Sequence, residues 1–300
     1  MTLALALALD AIFGEPRWLW SRLPHPIVLL GRLVAWGDKT LNRGPMRRAK
    51  GVLFLVGLLS LSGSIGLVFT LLPWPLQAVL AAILLAQRSL AQHVAAVADG
   101  LRMGRQEGRR AVAMIVGRDT QGMDEGAIAR AAIESAAENL SDGVVAPAFW
   151  FALGGLPAML AYKALNTADS MVGYLTPKHA EFGWASARLD DLANWVPARL
   201  TALLILAVHA ALPLWPEVTR EAPRHRSPNA GWPESAVARA QGIALSGPRA
   251  YGGEMREFPF VNPGGRRALG PRDIDASIAA LWKTWSAIFA IVVLGALLVF

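Results

Sequence analysis

Residues 51–72 form a run of twenty-two residues without one charged side chain. As a helix rising 1.5 Å per residue, such a run is long enough to cross the hydrocarbon core of a bilayer. A helix also satisfies its own backbone N–H and C=O groups, which lipid cannot do. The composition agrees: 54% of the 300 residues are hydrophobic and 17% are charged, with a mean hydropathy of +0.38. That is too apolar for an ordinary soluble domain of this length. The expected fold class is all-α, a polytopic integral membrane protein with about four to five spanning or re-entrant helices plus amphipathic cytoplasmic helices, in contact with membrane lipid.

The remaining segments follow from the same pattern. Pro73-Trp74-Pro75 turns the chain, and residues 76–92 return, interrupted by Gln87 and Arg88, so 51–92 reads as a helical hairpin. Residues 92–110 are amphipathic and basic, which suits a helix on the aqueous side. Residues 144–165 are long enough to cross, but Gly154-Gly155-Leu156-Pro157 breaks them, giving either a kinked crossing or a re-entrant hairpin. Residues 198–215 and 279–300 are further candidate spans. Residues 1–13 are apolar, too short to span and carry Asp10; without a basic leading region they suit a half-buried or interfacial helix better than a signal peptide. His25, between two prolines, reads as structural. The domain expectation is one membrane-embedded unit, 1–300, made of the 51–92 hairpin, an acidic core at 93–195, a polar cytoplasmic segment at 217–278 and the 279–300 span.

Charge then sets orientation. The net charge is +7 and no cysteine is present, so disulfides and thiolate metal sites are excluded. The arginines are scattered on loops beside apolar runs, which points to membrane orientation and not to nucleic acid. Loops before residue 51, from 92 to 144 and from 217 to 283 are basic and should be cytoplasmic. If 144–165 crossed fully, the poorly basic 166–194 loop would lie on the opposite side; a re-entrant 144–165 keeps all the acids on one face and obliges 198–215 to be re-entrant as well.

Those acids fall in three groups: Glu134, Glu138, Asn139 and Asp142; Asn166 and Asp169 with Ser170; and Asp190, Asp191 and Asn194. Residues 124–142 read as one helix, on which Glu134, Glu138 and Asp142 form one stripe. Carboxylates one turn apart repel unless a cation or proton intervenes. Oxygen-rich faces of this kind suit Mg²⁺, a hard cation usually held by one or two carboxylates plus phosphate oxygens. The expected metal set is Glu134, Glu138, Asp142, Asp169, Asp190 and Asp191. A solvated stripe balanced by Arg118 and Arg130, and a helix cap at Asp190, are the plainer alternatives.

The chain carries Val116-Gly117-Arg118-Asp119-Thr120, the run from Glu134 through Asn139 into Ser141-Asp142-Gly143, Tyr162-Lys163-Ala164-Leu165-Asn166-Thr167-Ala168-Asp169-Ser170, and Arg188-Leu189-Asp190-Asp191-Leu192-Ala193-Asn194. Ser227-Pro228-Asn229-Ala230-Gly231-Trp232-Pro233 and Gly247-Pro248-Arg249-Ala250-Tyr251-Gly252-Gly253 follow. These motifs, in this order, resemble the CobD/CbiB family of cobalamin-biosynthesis membrane proteins.

The resemblance implies an adenosylcobinamide-phosphate synthase, a multi-pass protein of the inner (cytoplasmic) membrane. Such an enzyme joins the corrinoid substrate adenosylcobyric acid to (R)-1-aminopropan-2-ol O-phosphate (aminopropanol phosphate), or to free aminopropanol, using ATP, with other corrinoid-pathway enzymes as further partners. Its expected catalytic acids are Glu134, Glu138, Asp169, Asp190 and Asp191. Its expected binding residues are Arg118, Asp119, Asn139, Lys163, Asn166, Arg188, Asn194 and Asn229, with Lys178 as a further phosphate contact. Trp184 and Trp232 would face the corrin. No GxxxxGK[ST] sequence occurs, so ATP would bind by another arrangement. An intramembrane Mg-dependent prenyltransferase, and a corrinoid-binding scaffold or transporter without turnover, are the rival classes.

Overall fold

The computed structural model describes residues 1–299. In chain order the helices are α1 (Thr2–Phe13), α2 (Arg17–Trp20), α3 (Pro26–Leu41), α4 (Arg47–Phe69), α5 (Trp74–Ile83), α6 (Gln87–Met103) and α7 (Arg105–Val112). They continue with α8 (Glu125–Leu140), a π-helical turn at Ser141–Val145, α9 (Ala146–Val172), α10 (Trp184–Ala193), α11 (Trp195–Val208), α12 (Trp215–Glu221), α13 (Gly231–Gln241) and α14 (Pro271–Val299). Helix dominates, as the all-α expectation requires. Two small antiparallel ribbons interrupt the polar segment: β1 (Leu245–Ser246) pairs with β4 (Phe260–Val261), and β2 (Arg249–Tyr251) with β3 (Glu254–Arg256).

Among the described residues, four stretches are long and apolar enough to cross a membrane: Arg47–Phe69, Trp74–Met103, Glu125–Val172 and Pro271–Leu298. α10 and α11, bent by 42° at their junction, qualify only as a pair. The protein is therefore a polytopic membrane protein. One expected span is shorter than the sequence suggested: α11 ends at Val208 after fourteen residues, because Ala210 turns left-handed at φ 52° and a single 3₁₀ turn, Leu212–Leu214, follows.

The chain forms two compact units. The first comprises Met1–Ala86, Ala146–Trp195 and the chain's end from Ala296. Here α4 packs along α9, α1 packs against α5, and α10 lies across both α9 and α4. His25 caps α3, its Nδ1 accepting from the Ile27 N–H at 3.2 Å. α9 is broken where its glycines and proline foretold: Gly154 leaves the helical region, and Gly155 adopts φ 62°, ψ −154°, which a side chain would resist. Gly183 lets α10 start hard against the end of α9, since a Cβ there would lie 1.7 Å from the Val172 carbonyl oxygen.

The second unit comprises Gln87–Val145 and Val196–Gly295. α8 is its centre, packed by α6, α7, α13 and β1. Its start is fixed by Asp124, whose carboxylate accepts from the Ala127 N–H at 2.7 Å. It ends earlier than the sequence suggested, because Ser141–Val145 winds as a π-turn. Such turns add a residue to the cycle and recur at functional positions. Asp142 therefore sits in that turn, off the regular register of the Glu134–Glu138 stripe.

Candidate functional site

In the first unit, residues 162, 166 and 169 of α9 share one face by their i, i+4, i+7 spacing, and 190 and 194 of α10 answer them at i, i+4. The close start allowed by Gly183 brings these faces together. Asp190 is buried, and both its oxygens accept from amides: Asn166 Nδ2 at 3.3 Å and Asn194 Nδ2 at 2.9 Å. The Asn194 side-chain oxygen accepts in turn from the Tyr162 hydroxyl at 2.9 Å. Tyr162 stacks on Trp150, whose indole N–H donates to the Ala193 carbonyl at 3.3 Å. Asp169 adds a second negative charge beside Asp190. Asp190 lies inside α10 and Asn194 closes it, while Gly183 holds the N-terminal position, so the capping alternative for Asp190 does not apply.

Around this group, Lys163 is buried, Asp191 is half-buried with Arg188 as its charged neighbour, and Arg188 is exposed. Lys178 lies elsewhere in the unit, 2.5 Å from Asp38. Burial works against the charge of Asp38, and hydrogen bonds from Lys178, Asn42 and His179 overcome it and hold the carboxyl below its usual range. Trp184 carries the Arg48 guanidinium over its ring at 3.7 Å.

In the second unit Glu134 is clamped. Arg118 Nη2 lies 2.7 Å and Arg249 Nη2 3.5 Å from its Oε2, while its Oε1 accepts from the Ser246 N–H at 2.6 Å. All three charged side chains are at most 10% exposed. Ser246 reaches the carboxylate from a left-handed backbone, φ 63°, an arrangement a non-glycine residue adopts only when its surroundings hold it there. Its hydroxyl accepts from Arg249 at 2.6 Å. Asp119 anchors the β2–β3 ribbon: its carboxylate accepts from Gly253 N–H at 2.7 Å, and its own N–H donates to Ala250 O at 3.2 Å. Glu138, one turn beyond Glu134, is exposed and feels the charges of Arg226, Arg249 and Arg118. Asn139 turns back to donate to the Ser135 carbonyl at 2.9 Å.

Sequence reasoning missed Glu234 and His225. Glu234 is 2% exposed, and its Oε1 is 3.6 Å from His225 Nε2. Burial, with the charges of Glu134 and Glu138, pushes the Glu234 carboxyl well above its usual range. Burial pushes the His225 imidazole down to about 4. His225 Nδ1 accepts from the Ser227 N–H at 3.1 Å, which leaves Nε2 to carry the proton. The His225 imidazole is thus neutral at pH 7. The one signal for it was position: Glu234 directly follows the Ser227–Pro233 motif and His225 stands two residues before it. Within that motif the Ser227 hydroxyl accepts from the N–H groups of Asn229 and Ala230 at 3.3 and 3.2 Å, as a turn would require. Asn229 faces Arg199 at 3.5 Å, and Trp232 lies beneath the same guanidinium at 4.3 Å.

Among the described residues, no group of three or more histidine, aspartate or glutamate side chains could hold a metal ion unaided. A Mg²⁺ shared with phosphate needs only one or two carboxylates. Asp190, beside the charge of Asp169, offers a hard carboxylate of that kind. Glu134 does not, because guanidiniums and a backbone N–H face its oxygens.

Comparison with known proteins gives one family: the one described as CobD/Cbib protein matches residues 3–281. The chain is 48% identical to the cobalamin biosynthesis protein CobD of Brucella suis biovar 1 (strain 1330), covering 99% of this chain and 97% of that one. It is 51% identical to the protein of the same name from Sinorhizobium sp, over 94% and 93% of the two chains. It is 45% identical to that of Rhodobacter capsulatus, over 91% and 89%. No solved structure matches.

Proposed function

Because this chain belongs to the CobD/CbiB family of cobalamin biosynthesis, we propose that it is an adenosylcobinamide-phosphate synthase of the cytoplasmic membrane. On this reading it ligates adenosylcobyric acid to aminopropanol phosphate, or to free aminopropanol, at the expense of ATP. The observation that carries the reading is the Asn166–Asp190–Asn194 cluster, with Asp190 and Asn194 buried, built from the motifs on which the family resemblance rests. An acid kept inside an apolar unit by two amides is a group whose burial costs stability, and function is the usual reason to retain one.

The propionate oxygen of the corrinoid attacks the γ-phosphorus of ATP, and ADP leaves as the bond to the bridging oxygen breaks. The amine nitrogen then attacks the acyl carbon, and inorganic phosphate leaves as the amide forms. The amine must be neutral to attack, so a carboxylate has to accept its proton. Asp169, next to Asp190 yet half-exposed, is suited to that role, and Asn166 and Asn194 keep Asp190 oriented. Mg²⁺ held at Asp190 would offset the charge of the phosphate oxygens.

The test is amide formation by the detergent-purified protein with Mg²⁺, ATP, adenosylcobyric acid and either amine, following corrinoid mass. The expected result is a product heavier by the amine residue, lost in Asp190→Asn. Corrinoid binding without amide formation from either amine would replace the enzyme reading with that of a scaffold.

A further inference from the structure

Within the second unit, a pocket between the 3₁₀ turn of residues 222–224, the strained Ser246 and the segment 258–261 is lined by three arginines and one glutamate: Arg224, Arg226, Arg249 and Glu221. The glutamate is no counter-charge for the pocket. Its carboxylate is held by the Arg239 guanidinium, which bonds it through two nitrogens, and it accepts from the Asn262 N–H at 3.2 Å. His225, also on the wall, is neutral and adds no charge. Arg249 is fixed by Glu134 and Ser246, and lies over the Phe258 ring at 5.3 Å. Phe258 and Phe260 give the pocket an apolar wall, which strengthens any charge interaction made beside it.

We infer that this pocket is a phosphoryl-anion subsite, taking the terminal phosphate of a phosphorylated substrate. Planar guanidinium forks suit a three-oxygen dianion by paired N–H donors, so a pocket lined by several favours phosphate over a single carboxylate. Two sources share that chemistry: the triphosphate tail of ATP and the phosphoester of aminopropanol phosphate. The inference rests on the proposal that the substrates are phosphorylated, and it assigns them a place which the acidic clusters do not. Arg249 is the preset floor of the subsite; Arg224 and Arg226, both exposed, are the groups that close on the anion.

The test compares the full-length wild type with Arg224→Gln/Arg226→Gln by titration calorimetry, using ATP, aminopropanol phosphate, inorganic phosphate and free aminopropanol as separate probes. The charge-preserving Arg224→Lys/Arg226→Lys pair and Arg220→Gln, which removes an exposed arginine outside the pocket, stand beside it. The expected result is about tenfold or greater loss of affinity for one phosphorylated probe, a partial loss in the lysine pair, and none for free aminopropanol or in Arg220→Gln. Loss confined to ATP identifies the nucleotide tail, and loss confined to aminopropanol phosphate identifies the phosphoester. Unchanged binding of every phosphorylated probe by the glutamine pair overturns the inference, as does a wild type that binds none of them. Should the wild type form no amide yet lose phosphate binding in the glutamine pair, the subsite stands and the ligase reading falls.

Discussion

Glu134 organises the second unit through charge. Replacing it with alanine leaves Arg118 and Arg249 buried without their carboxylate, and loss of one partner of a buried pair costs about 3–5 kcal/mol. Thermal unfolding of Glu134→Ala in detergent should show that loss, and Arg118→Ala/Glu134→Ala should be less destabilised than the sum of the single variants. Additive effects would mean the clamp is not coupled. His225 and Glu234 make a pH prediction whose two halves have opposite sign. His225 titrates at 6.5 when unfolded and about 4 when folded, so its contribution is complete above pH 6.5 and is lost as pH falls towards 4. Glu234, raised on folding, contributes most below 4.5 and loses that contribution as pH rises. His225→Gln should flatten the acid limb of the stability curve and Glu234→Gln the opposite one; an unchanged acid limb in His225→Gln would show that the imidazole is not buried neutral. Glu134 and Arg118 were legible as site residues because a local motif carries them. Arg249, Ser246 and Glu234 were not given roles, since they join α8 from about one hundred residues downstream and no local spacing reports such a meeting.

At the scale of elements, single backbone positions place the polar faces. Gly183 sets the approach of α10 to α9, and an alanine methyl there meets the Val172 carbonyl. Gly183→Ala should cost about 2 kcal/mol or more through the forced shift, and should also lower activity by moving Asp190 from Asn166. Wild-type thermal stability in that variant would show that the contact is not tight. The break in α9 was plain from its Gly-Gly-Leu-Pro run, because each residue there acts on its own φ. The end of α8 was not: Ser141-Asp142-Gly143 contains nothing that forbids a regular helix, and the π-turn arises from packing. That is why Asp142 seemed to extend an acidic stripe. The short α11 and the two ribbons escaped the same way, as apolar runs report burial and length but not where tertiary contacts stop a helix.

For the molecule as a whole, the all-α membrane class was legible from hydropathy alone, since no soluble fold hides a charge-free run like that of residues 51–72. Which segments cross and which return is a matter of sidedness, and the chain is well suited to settle it because it has no cysteine. Single cysteines at Arg105 and at Lys178, labelled in intact vesicles with an impermeant thiol reagent, should react from the same side if residues 144–165 are re-entrant; reaction from opposite sides would make them a crossing. Carboxyl activation by ATP can be followed by isotope transfer. Adenosylcobyric acid carrying ¹⁸O in its free propionate is turned over with ATP, Mg²⁺ and aminopropanol phosphate, and the released phosphate is analysed by mass. One ¹⁸O is expected in the inorganic phosphate for each amide formed. Amide formation with unlabelled phosphate, or corrinoid binding with no ATP consumed, would contradict it.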